Sequence, residues 1–236
     1  MIKKQELIDL QFVPRASGIS KLMGTKGLGK VGIDYVAEYL SNKIKGINSD
    51  CYSMYTEKGT VVEDKGIELG NNVFKTNHVK NGKFFANKWI CGTPDILDEQ
   101  DVIDYKCSWS FSTFEAIDNL TKPPVNYFWQ LMAYMYLTGT RKAKLRYALI
   151  NTPEALIESA INKAKWNDNA GEELDPVWVA EIYNKHTFND LPDFAKIIDF
   201  DFDYCEESIT LMKSRITDAR IIFEELKVKK IKRYFI

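Results

Sequence analysis

Paired cysteines, histidines and net charge are all scarce in this chain. Its four cysteines, Cys51, Cys91, Cys107 and Cys205, are scattered and none forms a CxxC pair. That excludes zinc and iron–sulfur ligand spacings and points to reduced, partly buried thiols. Cys91 and Cys107 flank an acidic stretch and are candidates to approach each other. Histidines number only two and the net charge is −1. Without a global basic field, any nucleic-acid contact must rest on a local patch. No apolar run reaches the length of a membrane span, and residues 1–6 carry no signal-peptide core. The expectation is a cytosolic, soluble protein without a membrane partner. Internal repeats and low-complexity linkers are also missing. What is present, 236 residues with 45% hydrophobic and 28% charged content, suffices for one domain with a full core.

The most informative stretch is Gly92-Thr93-Pro94-Asp95-Ile96-Leu97, followed by Val102-Ile103-Asp104-Tyr105-Lys106. It reads as two short strands joined by a turn. Strand side chains alternate, so Asp104 and Lys106 share a face and Tyr105 points away. If the strands pair as a hairpin, Asp95 approaches that face. Two carboxylates and the Tyr105 carbonyl are hard oxygen ligands of the kind Mg²⁺ takes. An adjacent lysine can orient water or neutralise developing charge. The plain alternative is a salt bridge at a hairpin turn.

Elsewhere, residues 1–28 read as an irregular lead-in in which Arg15 and Ser17 begin a hydroxyl-rich segment; this is either a loop and cap or a phosphate contact. Helices are predicted over 32–45, 52–69, 125–138, 153–165, 176–185 and 206–227, with a loop over 167–171. In the second helix Gly59 suggests close backbone approach and Glu63 lies a turn beyond. Strands are predicted over 73–78, 83–91, 143–150 and 196–202, with Asn81-Gly82 as a hairpin turn. His78, beside that turn, reads as exposed, with a metal or catalytic role as the alternative. The alternating serines and aromatics of 107–114 read as core or lid packing, or as a surface on which a base stacks. Gln130 and Tyr134 share a face of an apolar helix, where a buried amide needs a partner. The basic residues of 227–233 form either a solvated end or a phosphate-backbone contact.

Pro94-Asp95 with Asp104-Tyr105-Lys106 resembles the signature of the PD-(D/E)XK nuclease superfamily. With Gln130 and Tyr134 it resembles the QxxxY pattern of RecB-type nucleases. Together with Lys58-Gly59-Thr60-Val61-Val62-Glu63, which places lysine where the family has arginine, it is similar to phage exonucleases of the lambda-exonuclease/YqaJ type. The resemblance covers about residues 15–150 and leaves 151–236 unmatched. It implies an α/β, restriction-endonuclease-like core: a mixed central sheet flanked by helices, with a helical C-terminal elaboration. It implies Mg²⁺ or Mn²⁺ on Asp95, Asp104, the Tyr105 carbonyl and Glu63 (direct or through water), with no iron–sulfur cluster. Lys106 would position or activate the attacking water. Gln130 would hold the lysine or a phosphate, Tyr134 would pack behind or touch DNA, and Arg15 and Ser17 would be candidates for a terminal 5′ phosphate. The implied activity is 5′→3′ exonuclease action on linear duplex DNA in phage-type recombination, in a bacterial or phage-infected cell. A single-strand annealing protein is the implied partner and a ring-type trimer the implied assembly. A RecB-like nuclease for single-stranded or branched DNA, and an inactive DNA-binding module, are the alternatives.

Overall fold

The computed structural model describes residues 2–47, 54–167 and 175–235. A four-stranded mixed sheet organises the chain. Its strands are β3 (Ile96–Leu97), β4 (Asp101–Cys107), β5 (Lys142–Ala148) and β6 (Ile197–Asp203), in that spatial order. β3 pairs antiparallel with β4, β4 parallel with β5, and β5 antiparallel with β6. The parallel step requires a crossover. Helices α4 (Phe111–Asp118) and α5 (Val125–Thr138) supply it. β1 (Phe85–Ala86) and β2 (Cys91–Gly92) form a separate two-stranded ribbon.

The remaining helices are α1 (Lys4–Asp9), α2 (Gly29–Lys45), α3 (Met54–Phe74), α6 (Glu154–Asn167), α7 (Pro176–His186) and α8 (Glu206–Phe235). Helix α2 buries Val36, Leu40 and Ile44 at intervals of four and ends at Gly46, whose φ of 68° is left-handed. Helix α5 starts after Pro124 and ends at Gly139, φ 81°, as predicted. Helix α8 buries Ile209, Met212, Ile216, Ala219 and Phe223, a stripe at spacings of three and four. The main core runs from Leu7 to Phe223 and fills one side of the sheet. On the other side, Ile103 and Tyr105 of β4 pack with Ile67 and Leu69 of α3. Arg146 of β5 ties these layers together. It donates two 2.7 Å hydrogen bonds to Asp199 on β6, donates another to the Tyr105 hydroxyl at 3.0 Å, and stacks on the Phe74 ring at 4.0 Å.

Several expectations are corrected. The lead-in is partly ordered: the Glu6 carboxylate accepts from the Lys3 N–H at 3.1 Å, buried Leu7 anchors α1, and Ala16–Leu22 form a 3₁₀ turn. Residues 73–78 are no strand. Helix α3 runs on to Phe74, Lys75 takes φ 58°, and the Asn71 side chain then satisfies the main chain of His78. Asn81-Gly82 is not the hairpin turn; the ribbon turns at Asn87, whose carboxamide oxygen accepts from the Trp89 and Ile90 N–H groups. Residues 111–118 are helical because the Ser110 hydroxyl caps α4. The strand expected over 196–202 does form: β6 is an edge of the sheet, set among the helices of the C-terminal third. Residues 227–233 are no loose tail, since α8 continues through them and Lys227 Nζ donates to the Ile8 and Leu10 carbonyls. Residues 52–53, Cys51 and most of the 167–171 loop lie outside the described residues. Among the described residues Cys91, Cys107 and Cys205 are free thiols. No described helix is long and apolar enough to cross a membrane.

Candidate active site

The site forms at the β3–β4 hairpin. Ile96 stands opposite Ile103 and Leu97 opposite Val102, and the same register carries Asp95 to Asp104. Asp95 Oδ2 accepts the Tyr105 N–H at 2.7 Å, which fixes its carboxylate across the strand pair. Asp104 and Lys106 share the β4 face that also bears the core residue Val102, so both point toward α5. There Gln130 Nε2 donates to Asp104 Oδ1 at 2.8 Å. Lys106 Nζ lies 2.5 Å from Asp104 Oδ2 and 5.1 Å from the centre of the Tyr127 ring. The structure therefore brings Asp95, Asp104, Lys106 and Gln130 together. Gln130 is 7% exposed and Asp104 1%, and each answers the other's buried polar demand.

Glu63 arrives from α3. Glycines at 59, 66 and 70 share its helix face, at spacings of four and three. A Cβ at Gly70 would sit 2.1 Å from the Tyr105 hydroxyl, and one at Gly66 3.2 Å from Cys107 Sγ. These two positions let α3 lie close on β4. Gly59 meets nothing within 4 Å, so the close approach expected there belongs to Gly66 and Gly70 instead. Lys58, one residue earlier, is fully buried and donates to the Ser108 carbonyl at 2.6 Å and the Trp109 carbonyl at 3.0 Å. It ties the start of α3 to the end of β4.

The electrostatics follow from crowding three acids. Burial, then the negative charge of Asp104, pushes the Asp95 carboxyl up to about 8; Lys106 opposes this and Glu63 adds to it. Burial alone would lower the Lys106 pKa, but the charges of Asp104 and Asp95 outweigh it and hold the ammonium protonated. Burial also raises Tyr134, with Asp104 and Asp95 adding to the effect. Gln130 Nε2 reaches the Tyr134 hydroxyl at 3.4 Å.

Two site residues escaped the sequence reading. Asn81 donates from its main-chain N–H to the Asp95 carbonyl at 2.7 Å and from Nδ2 to the Pro94 carbonyl at 2.9 Å. It thus fixes the backbone that carries Asp95. Lys80 Nζ lies 3.2 Å from Glu63 Oε1 and 3.6 Å from Asp64 Oδ1. The only signal for Asn81 was the Asn-Gly pair, which mimics a hairpin turn. No local pattern marked Lys80. His78 is not simply exposed: its Nε2 lies 3.4 Å from Asp98 Oδ2, with the side chain largely covered. Arg15 and Ser17 are exposed on either side of buried Ala16. Ala16 packs where a Cβ at Gly92 would meet both it, at 3.1 Å, and the Tyr134 ring, at 2.9 Å, so the 3₁₀ turn abuts the wall of the site. Arg15 also lines a cavity of about 540 Å³ with Lys21, Lys43, Tyr35 and Tyr39.

The donor chemistry suits a hard divalent cation: carboxylates that raise one another's proton affinity are relieved by a counter-charge. Each acid is at present tied to a protein donor, and among the described residues no three acidic, histidine or cysteine side chains close into a ligating set. A ligand held through water, which Mg²⁺ commonly keeps, is compatible with that spacing.

No family model and no curated protein matches the chain. Solved structures do. A phage-related exonuclease from Haemophilus somnus 129PT superposes with a TM-score of 0.76 at 22% identity, over 95% of this chain and 99% of that one. The alkaline exonuclease LHK-Exo from Laribacter hongkongensis superposes with a TM-score of 0.64 at 14% identity, over 98% of this chain and 97% of that one. Its complex with dAMP gives the same score and identity over 94% and 92% of the two chains. At these identities the likeness is one of fold, and it extends over the C-terminal third that the sequence resemblance left unmatched.

Proposed function

We propose that this chain is a metal-dependent deoxyribonuclease, an exonuclease that degrades linear duplex DNA in the 5′→3′ direction with Mg²⁺ or Mn²⁺. One observation carries the reading: Asp104 interlocked with Lys106 and Gln130, with Asp95 fixed opposite it by the Tyr105 N–H. A salt bridge at a hairpin turn would need neither the buried amide nor the second carboxylate. The fold shared with two exonucleases, one of them solved with a nucleotide, supports the same substrate class.

In this reading Asp95, Asp104, the Tyr105 carbonyl and Glu63, directly or through water, hold the ion. A divalent ion there would acidify a bound water and stabilise charge on the phosphoryl oxygens. Lys106, kept protonated by its two acids, acts as a cation rather than as a general base. It orients the attacking water and stabilises the negative charge that develops on the phosphorane-like oxygens. Gln130 fixes the Asp104 carboxylate so that one oxygen serves the lysine. Tyr134 closes the wall behind it. Arg15 and Ser17 lie at the rim as contacts for a terminal 5′ phosphate. The biological setting that fits is phage-type recombination in the cytoplasm, with a single-strand annealing protein as partner and a ring assembly around the duplex.

The test is digestion of a 5′-phosphorylated linear duplex with Mg²⁺, compared with 5′-hydroxyl, single-stranded and flapped substrates. Wild-type protein degrades the phosphorylated duplex from its 5′ ends, and Asp104→Asn and Lys106→Met lose at least about 100-fold in rate. Undiminished cleavage by either variant removes the site assignment. Preference for flapped or single-stranded DNA removes the duplex reading.

A further inference from the structure

We propose that Lys80 is a further working residue of this site, a placeholder cation that holds Glu63 in position and yields it to the divalent ion. The inference rests on the metal-dependent reading above.

The segment 76–84 has no regular secondary structure, yet it is anchored on both sides of Lys80. Upstream, the Asn71 carboxamide accepts the His78 N–H and donates to the His78 carbonyl, both at 2.9 Å. Downstream, Asn81 is bonded to the Asp95 and Pro94 carbonyls. Exposed lysine–carboxylate pairs generally contribute little, in part because holding two long side chains in one geometry offsets the attraction. Here the backbone is already fixed, and Lys80 is delivered to Glu63 on α3 from the same strap that fixes Asp95.

The charges give the pairing a purpose. The negative charge of Glu63 is felt at Asp95 and at Cys107, so its carboxylate faces the acidic cluster. Lys106 answers Asp104 and Asp95, and Lys80 answers Glu63. Each part of the three-acid set thus has its own protein cation. Glu63 Oε1, which faces the Lys80 ammonium at 3.2 Å, cannot direct the same lone pair at a second cation. A cation approaching that carboxylate, even at its other oxygen, meets the repulsion of the ammonium, so Lys80 competes with the ion at this one ligand.

Mn²⁺ titration calorimetry on the full chain, without DNA, tests this. Lys80→Met binds Mn²⁺ about threefold more tightly than wild type, equivalent to about 0.7 kcal/mol at about 1.4 kcal/mol per tenfold. Lys80→Arg, which keeps the cation, does not. The gain disappears when Glu63 is already Gln, because a contact between two side chains appears as non-additivity in a double-mutant cycle. A gain of the same size in the Glu63→Gln background would show a general charge effect and overturn the proposal. Unchanged or weaker binding by Lys80→Met, with wild-type binding that Asp104→Asn abolishes, would overturn Lys80's role and leave the metal reading standing. No Mn²⁺ binding by any variant would overturn both.

Discussion

Lys58 sets up a stability test that reads a single buried charge. Its side chain has no solvent exposure, its ammonium rests on two main-chain carbonyls, and the Trp109 and Phe188 ring centres lie 5.9 and 5.7 Å away. Burial pushes its pKa down to about 8, with Cys107 opposing the shift. The ordinary value is 10.5, so the unfolded chain holds this proton more tightly than the folded one. Below about pH 8 both states are protonated and the fold carries the full cost of the buried charge. Between about pH 8 and 10.5 folding releases the proton and stability rises with pH; above that window the contribution is constant. The difference of 10.5 − 8 = 2.5 units corresponds to about 3 kcal/mol at about 1.4 kcal/mol per unit. Lys58→Met has nothing to titrate there. At neutral pH its sign is set by two opposing effects, a buried charge removed and two carbonyls left without a donor. The readout is therefore the slope and not the absolute value. Urea unfolding of both proteins at pH 7, 8, 9 and 10 shows wild type gaining on the variant by roughly 2–3 kcal/mol across the series. Other lysines, tyrosines and thiols titrate in both proteins and cancel in the difference. Parallel curves would refute the assignment of Lys58 as a desolvated ammonium.

Three further outcomes are expected. Gln130→Leu removes the donor to Asp104 Oδ1 while keeping a similar volume, and denaturant unfolding shows a loss of about 1–3 kcal/mol from the stranded carboxylate. Gly70→Ala drives a methyl into the Tyr105 hydroxyl and toward Arg146, and costs about 1–3 kcal/mol by the same assay; an alanine that is neutral or stabilising would disprove the close α3–β4 contact. Asp95→Asn keeps an acceptor for the Tyr105 N–H and removes the charge that burial and Asp104 oppose. Because the folded carboxyl binds its proton more tightly than the unfolded one, wild-type stability in EDTA falls relative to the variant from about pH 4 to about pH 8 and runs parallel beyond; a constant gap across that range would count against the raised pKa.

The sequence made legible what periodicity and register control. Alternation in Val102-Ile103-Asp104-Tyr105-Lys106 placed Asp104 and Lys106 on one face, and the short connection to Ile96-Leu97 set the pairing that carries Asp95 to them. The apolar helix 125–138 announced its own burial, so Gln130 had to find a polar partner, and Asp104 is that partner. What stayed hidden is the set of side-chain-to-backbone bridges between segments distant in sequence. Asn71, Asn81 and Lys58 satisfy main-chain groups 7, 13 and 50 residues away, and no local pattern distinguishes such an asparagine from a turn former or such a lysine from a solvated one. The misread strand at 73–78 and the misplaced turn at Asn81-Gly82 share this cause: the Asn71 carboxamide reaches the main chain of His78, and the Asn81 carboxamide reaches the Pro94 carbonyl besides bonding Lys83 two residues on. The two faces of β4 show the consequence for the site. Its Asp104 face is built on register and so could be inferred, whereas Glu63 is delivered by packing, through the bare backbone of Gly66 and Gly70 against Tyr105 and Cys107. A glycine's value there depends on which strand it meets, and that is why Gly59, the one within Lys58–Glu63, was the one singled out, although the contact is made about two and three turns further along α3.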